Sequence, residues 1–232
     1  MWIAFWAVLS AVIGKELLLP SPLNVIKRLA ELASQSSFRI SIAKSLLRIM
    51  AGYFAALVIG SLAGFAAALS RILDEILTPA ARVIRATPVV SFIMLLFVFV
   101  AKNNIPAVTS FLMVMPAVWL NVYEGVRGTD RKLLEMAQLF ELSRGSVFKN
   151  IYVPEVMPFF SAAAKGGIGL AWKAGIAAEV LVNPKFGIGS MLYNSKVYLE
   201  TTDLFAWTLV VIIISMLLEK LIVRYVFERN TK

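Results

Sequence analysis

The sequence predicts an all-α integral membrane protein of about six transmembrane helices, and three observations carry that prediction. Hydrophobic residues make up 59% of the 232 and charged residues 16%, with a mean hydropathy of +0.80. A soluble domain carries about 25% charged residues, so the chain has more apolar surface than one aqueous core can bury, and a bilayer resolves the excess. Uncharged runs approach the roughly 20 residues that cross about 30 Å of hydrocarbon. The clearest, Ile49 to Leu69, carries small residues at Gly52, Ala56, Gly60, Ala63 and Gly64, the mark of a helix that packs closely on protein within lipid.

The elements follow in order. Met1 to Gly14 is apolar and uncharged, and reads as a short first membrane helix that can run to Leu19. No basic region precedes it and no small-x-small cleavage site follows, so no cleaved signal peptide is expected. Between Pro20 and Leu47, Val25, Ile26, Leu29 and Leu32 recur at helical spacing opposite Lys27, Arg28 and Glu31. That pattern is an amphipathic helix at the interface or capping the bundle, with Ser21 as its N-cap and Pro22 in its first turn. After the second span, Ile49 to Leu69, a third runs from about Val83 to Val100, with Pro88 in its first turns where proline is tolerated. A fourth, Ile105 to Tyr123, contains Pro116, which predicts a kink, and only Lys102, Asn103 and Asn104 separate it from the third. A polar stretch from Glu124 to Pro158 leads to the fifth span, Phe159 to Val182. Asn183 to Asp203 reads as a loop, and the sixth span is Leu204 to about Val223. The organisation expected is a first helix and amphipathic segment (1–48), a core membrane domain (49–223) with its polar loop at 124–158, and a tail (224–232).

Composition removes several functions. The chain has no cysteine and no histidine, which excludes a disulfide framework, a Cys/His zinc site and any histidine-based triad or general base. No paired-carboxylate motif stands out, so a transport subunit is expected and not an enzyme. No G-x-x-x-x-G-K-[ST] loop is present, so nucleotide phosphates are not cradled here in that way. The net charge of +9 reads as loop anchorage against anionic lipid and not as nucleic-acid binding. Six spans put both termini on one side. With the termini inside, inner segments hold twelve Lys and Arg and outer segments nine, with Lys165 and Lys173 inside the fifth span, a weak positive-inside bias.

The stretch Glu124 to Pro158 is the most informative. Leu133, Leu134, Ala137 and Phe140 mark one helical face, Ser143-Arg144-Gly145 breaks it, and Val147, Phe148 and Ile151 start a second short helix expected to end at Pro154. Taken alone it also fits a solvated helix-turn-helix connector. The run Glu135-Met136-Ala137, then Ser143, Phe148, Ile151, Pro154 and Pro158, resembles the EAA loop of ABC importer permeases. Further matches follow in order along nearly the whole chain. They are Leu19-Pro20-Ser21-Pro22, Ser45-Leu46-Leu47-Arg48 before Gly52 and Tyr53, Ala86-Thr87-Pro88, Leu170-Ala171-Trp172, Ala177-Ala178-Glu179 and Gly187-Ile188-Gly189. Together they resemble the sulfonate, taurine, nitrate and thiamine-precursor permeases.

The resemblance implies a type I ABC importer fold. It implies that Glu135, Met136, Ala137, Phe140, Glu141, Ser143, Gly145, Phe148, Ile151 and Pro154 form a cytoplasmic coupling helix seated in a groove of an ABC ATPase subunit. ATP and Mg would be held by that partner, and this chain would bind no cofactor. The implied partners also include a second permease copy, making a homodimer, and an extracytoplasmic binding protein that delivers solute. The place implied is the inner membrane of a prokaryote. One departure stands: the family's loop glycine falls on Glu141. Either Ser143 to Gly145 makes the turn instead, or the ATPase groove is matched to a different loop.

The fifth span holds Lys173 and Glu179, with Lys165 near its inner end, where it could snorkel. At about 100° per residue, Lys173 and Glu179 stand roughly 120° apart and do not pair along the helix. An intramembrane charge costs about 2.5–3.5 kcal/mol on insertion scales and is retained where it faces a cavity, a partner or a path. Lys173, Glu179 and the adjacent Trp172 are therefore candidates for the translocation path, Lys173 favouring an anionic or carbonyl-bearing solute. The other reading has both charges satisfied inside the bundle, and Trp172 as a packing aromatic like Trp119, Tyr123, Trp207 and Tyr225. An ion-coupled secondary transporter is the alternative function, with Lys173 and Glu179 as coupling residues.

Overall fold

The computed structural model describes residues 2–222, and side-chain surroundings from residue 3. The expected tail (224–232), with Tyr225, and Val223 at the close of the sixth span lie outside the described residues. Among the described residues all the regular structure is helical. It contains α1 (Trp2–Ile13), α2 (Pro22–Ser34), α3 (Ser36–Leu69), α4 (Arg71–Ala86), α5 (Val89–Phe99) and α6 (Ile105–Arg127). These are followed by α7 (Arg131–Leu139), α8 (Arg144–Val147), a π-helical turn (Phe148–Tyr152), α9 (Val153–Val182), α10 (Ile188–Val197) and α11 (Thr201–Ile222).

The helices expected to span divide by length. Three are long and apolar enough to cross a membrane: α3, α6 and α11. The α4–α5 pair makes a fourth only as a broken span, bent by 110° at Thr87-Pro88. The third span thus begins at Val89, not Val83, and Pro88 is its N-cap. Proline disfavours helix for the residue before it, and Thr87 is extended accordingly. At 11 residues α5 reaches only about 16 Å. The first span, 12 residues, is similarly short and ends at Gly14 (φ +60°). The 30 residues of α9 give ample length, and Lys165, Lys173 and Glu179 lower its apolarity.

Four further boundaries differ from expectation. The amphipathic segment breaks at Gln35: α2 is capped by Ser21, whose Oγ accepts from Asn24 N, with Pro22 in its first turn. Its second half runs unbroken into the second span as the 34-residue α3, about 51 Å long, so the expected boundary at residue 48 falls inside a helix. Residues 71–82, given no helix from the sequence, join 83–86 in amphipathic α4. The loop expected at Asn183 to Asp203 contains α10. The second coupling helix does not end at Pro154, which lies in the first turn of α9, where its missing N–H is not needed. The chain passes from α8 through the π turn into α9 without a break.

The core is the packing of α3, α6 and α9. Gly52, Gly60 and Gly64 lie along one edge of α3, and a Cβ on each would collide with the α6 backbone at Ala107, Met115 and Trp119 respectively. Buried Ala56 continues the row. Polar threads cross this apolar interior: Tyr53 Oη donates to Ala164 O (2.9 Å) and Ser110 Oγ to Ala171 O (3.0 Å), tying α9 to α3 and α6. At the end opposite the coupling loop, Arg28 of α2 grips Asp203 of α11 with two bonds, 2.5 and 3.0 Å. That pairing, with Glu31 adding to it, holds the Arg28 guanidinium above its ordinary range.

Candidate functional site: a coupling hairpin and the faces of α9

The coupling hairpin is built by caps. Asp130 Oδ1 accepts from Lys132 N (2.9 Å) and starts α7. Its end is a Schellman closure: Leu142 N donates to Ala137 O (2.9 Å) and Glu141 N to Gln138 O (3.1 Å). That closure needs a left-handed residue, and Glu141 supplies it at φ +50°. The turn is therefore made at the position where the resembling family has glycine. Ser143 Oγ then accepts from Ser146 N and starts α8 (3.3 Å); Ser143 to Gly145 begin the second helix and do not form the turn.

The hairpin presents two sides. Ala137 and Ile151 point inward and are buried. Glu135, Met136, Leu139, Phe140, Glu141, Ser143 and Gly145 are exposed, Leu139 at 81% and Phe140 at 68%. Apolar side chains this open on a polar hairpin form a surface awaiting cover. Leu139 was not singled out from the sequence, although it stands three residues after Met136. The hairpin touches the bundle through Phe65 of α3, whose ring meets Phe148 at 5.2 Å and Tyr152 at 5.5 Å, both edge-on. A cavity of about 600 Å³ beside this clasp separates the end of α3 from α7 and α8.

The three path candidates sit on two sides of α9, Trp172 and Glu179 on the buried side and Lys173 on the exposed one. Trp172 is 1% exposed, with its indole N–H donating to Val211 O of α11 (3.1 Å). Glu179 is fully buried among α3, α9 and α10. Its Oε2 accepts from Ser45 Oγ (2.6 Å) and Gly189 N (3.0 Å), and Arg48 reaches Oε1 at 3.3 Å. Arg48 also donates to Phe186 O and, at 3.4 Å, to Asn103 Oδ1. Ser45 Oγ accepts in turn from Ile188 N (2.8 Å). The first N–H groups of α10 are orphans, since Gly187 has no side chain to cap them. Ser45 and Glu179 satisfy two of them from other helices, so Ser45, Arg48 and Glu179 act as one unit. Lys173 is different. It is exposed on the open side of α9 with Ala162, Gly166 and Leu170, and no hydrogen bond or ion pair engages it among the described residues. A Cβ at Gly166 would meet nothing within 4 Å, whereas one at Gly175 would strike Ile49 and Ser110.

A bundle tied by small-residue seams, with a polar hairpin offering an apolar tip at one end and an exposed lysine on an open helix face, fits a helical membrane subunit with faces left for other chains. The family comparison makes this specific: residues 56–230 match the model for the binding-protein-dependent transport system inner membrane component, and the chain belongs to that family, the permease subunits of ABC importers. It is 27% identical to the taurine transport system permease protein TauC of Escherichia coli (strain K12), covering 93% of this chain and 80% of the relative. It is 26% identical to the nitrate import permease protein NrtB of Synechococcus elongatus (strain ATCC 33912 / PCC 7942 / FACHB-805), covering 84% and 73%. Its fold is similar to a chain in the crystal structure of an amino acid ABC transporter with histidines, with a TM-score of 0.64, 16% identity, and coverage of 87% of this chain and 97% of that one.

Proposed function

We propose that this chain forms half of the translocation path of an ATP-driven importer for a small anionic or zwitterionic solute. Two copies pair across the open face of α9, an ABC ATPase subunit covers each coupling hairpin, and an extracytoplasmic binding protein delivers solute at the opposite end. ATP and Mg are held by the ATPase, and both termini face the cytoplasm. The observation that carries the reading is the exposed tip of Met136, Leu139 and Phe140. It is apolar enough to need a partner, and it sits on a hairpin joined rigidly to α9. The taurine and nitrate relatives support the solute class, and the mid-membrane Lys173 suits an anion. Lys173 lines the path, while Trp172 and Glu179 hold the wall behind it.

The test is co-purification with candidate ATPase subunits, followed by ATP hydrolysis and solute uptake in proteoliposomes. Replacing Leu139 and Phe140 together by Ser is expected to release the ATPase or to abolish uptake while the chain still folds. Ion-driven uptake by this chain alone, with no ATPase retained, would replace this reading with a secondary transporter.

A further inference from the structure

Arg85 takes no part in the reading above, yet it lines a cavity of about 280 Å³ whose other walls include Thr87, Met113, Pro116 and Leu170. Arg85 is itself exposed where it borders this cavity. Pro116 is the midpoint of α6 (Ile105–Arg127) and Leu170 lies near the middle of α9 (Val153–Val182). Among the described residues no carboxylate lines the cavity. Arg85 also borders a second cavity with Asp74 and Glu124. Asp74 is already engaged by Thr78, Tyr123 and Arg127, and no hydrogen bond or ion pair engages Arg85 among the described residues. The Thr87 hydroxyl donates to Val83 O (2.8 Å), and Arg85 is the charged residue in an otherwise largely apolar lining. Lys173 stands about one turn beyond Leu170 on the same open face.

A charge that no ion pair engages among the described residues is retained beside apolar helices where water or a ligand solvates it. A planar guanidinium matches the oxygens of a planar or tetrahedral oxyanion with paired donors. We propose that Arg85 is an anion station on the translocation path, next to Lys173 on the side of the coupling hairpin, for a small sulfonate, carboxylate or nitrate-type oxyanion. This rests on the open face of α9 being the path. Two stations let an anion leave one cation for the next.

The chain contains no cysteine, so Leu170→Cys introduces this chain's only thiol, and its labelling is read on this chain after separation from its partners. In membrane vesicles holding the assembled importer, its reaction is followed with an anionic and a cationic methanethiosulfonate of similar size. The anionic reagent is expected to be favoured over its rate with free glutathione. Arg85→Gln should lower that preference about fivefold, as loss of one charge at short range in a partly wet site predicts, and Arg85→Lys should keep most of it. A reactive thiol whose preference is untouched by Arg85→Gln, or falls only with Lys173→Met, overturns the proposal and leaves the path reading standing. A thiol that neither reagent reaches places the face in lipid, and the path reading fails as well. Should Arg85→Gln not assemble, Leu170→Cys alone decides: a preference no greater than that of glutathione overturns the proposal.

Discussion

Glu141 holds a left-handed backbone at φ +50°, a conformation that costs a side-chain-bearing residue roughly 1 kcal/mol and a glycine little. Glu141→Gly is therefore expected to raise the thermal midpoint of the purified chain, by roughly 0.5–1 kcal/mol of stability, without loss of uptake. A lowered midpoint would mean that the Glu141 side chain contributes more than its backbone costs. Glu179 poses the opposite case. Its carboxylate accepts from Ser45, Arg48 and Gly189 inside the bundle, so removing it strands buried donors and one buried charge. Glu179→Ala should cost about 3 kcal/mol or more, read as loss of monodisperse protein on size exclusion. Glu179→Gln keeps an oxygen acceptor and should retain much of the fold. Equal behaviour of the two variants would rule out the cross-helix cap at α10.

Element packing depends on where each small residue points. Gly52→Leu should abolish folding, because even a Cβ there meets the Ala107 carbonyl of α6, while Gly166→Ala should leave the fold of the single chain intact, because its Cβ meets nothing of this chain within 4 Å. Expression and thermal stability of the pair check this; an intact Gly52→Leu protein would mean that the α3–α6 seam is looser than its geometry. The Phe65 clasp joins the coupling hairpin to α3 across edge-on ring contacts with Phe148 and Tyr152, each worth about 0.5–1.5 kcal/mol beyond burial. Phe65→Ala is expected to leave ATP hydrolysis by the assembled importer largely intact and to lower uptake, since force from the hairpin would then reach α9 but not α3. Parallel loss of both activities would assign Phe65 to stability alone.

For the whole molecule, the open side of α9 divides a paired assembly from a lone bundle. Lysine facing hydrocarbon is costly, so the face of Lys173 needs protein or water against it. With no native cysteine in the chain, Gly166→Cys should form a disulfide between two copies in the assembled importer. Val58→Cys, on an exposed part of α3, should not. Cross-linking at Val58 and none at Gly166 would move the pairing face from α9 to α3.

The sequence by itself determined the solvent of this protein, its helical class, the small-residue edge of α3, the Ser21 cap and the hairpin at 124–158. Each of these depends on local composition or on spacing along one helix, which a bilayer or a helical period reads directly. Its account of the site was partial. It named Glu179 and Lys173 as the charges needing an explanation but left both readings open for each. The tertiary structure decided their surroundings, because Ser45 and Arg48, which hold Glu179, lie on α3 far away in the chain, while Lys173 turns to the open face. It also decided that Glu141 makes the hairpin turn, that α10 exists with caps borrowed from its neighbours, and that Phe65 meets the hairpin. A helix whose first N–H groups are satisfied from other helices carries no capping signal of its own, and a ring contact between α3 and the π turn leaves no mark in the spacing of either.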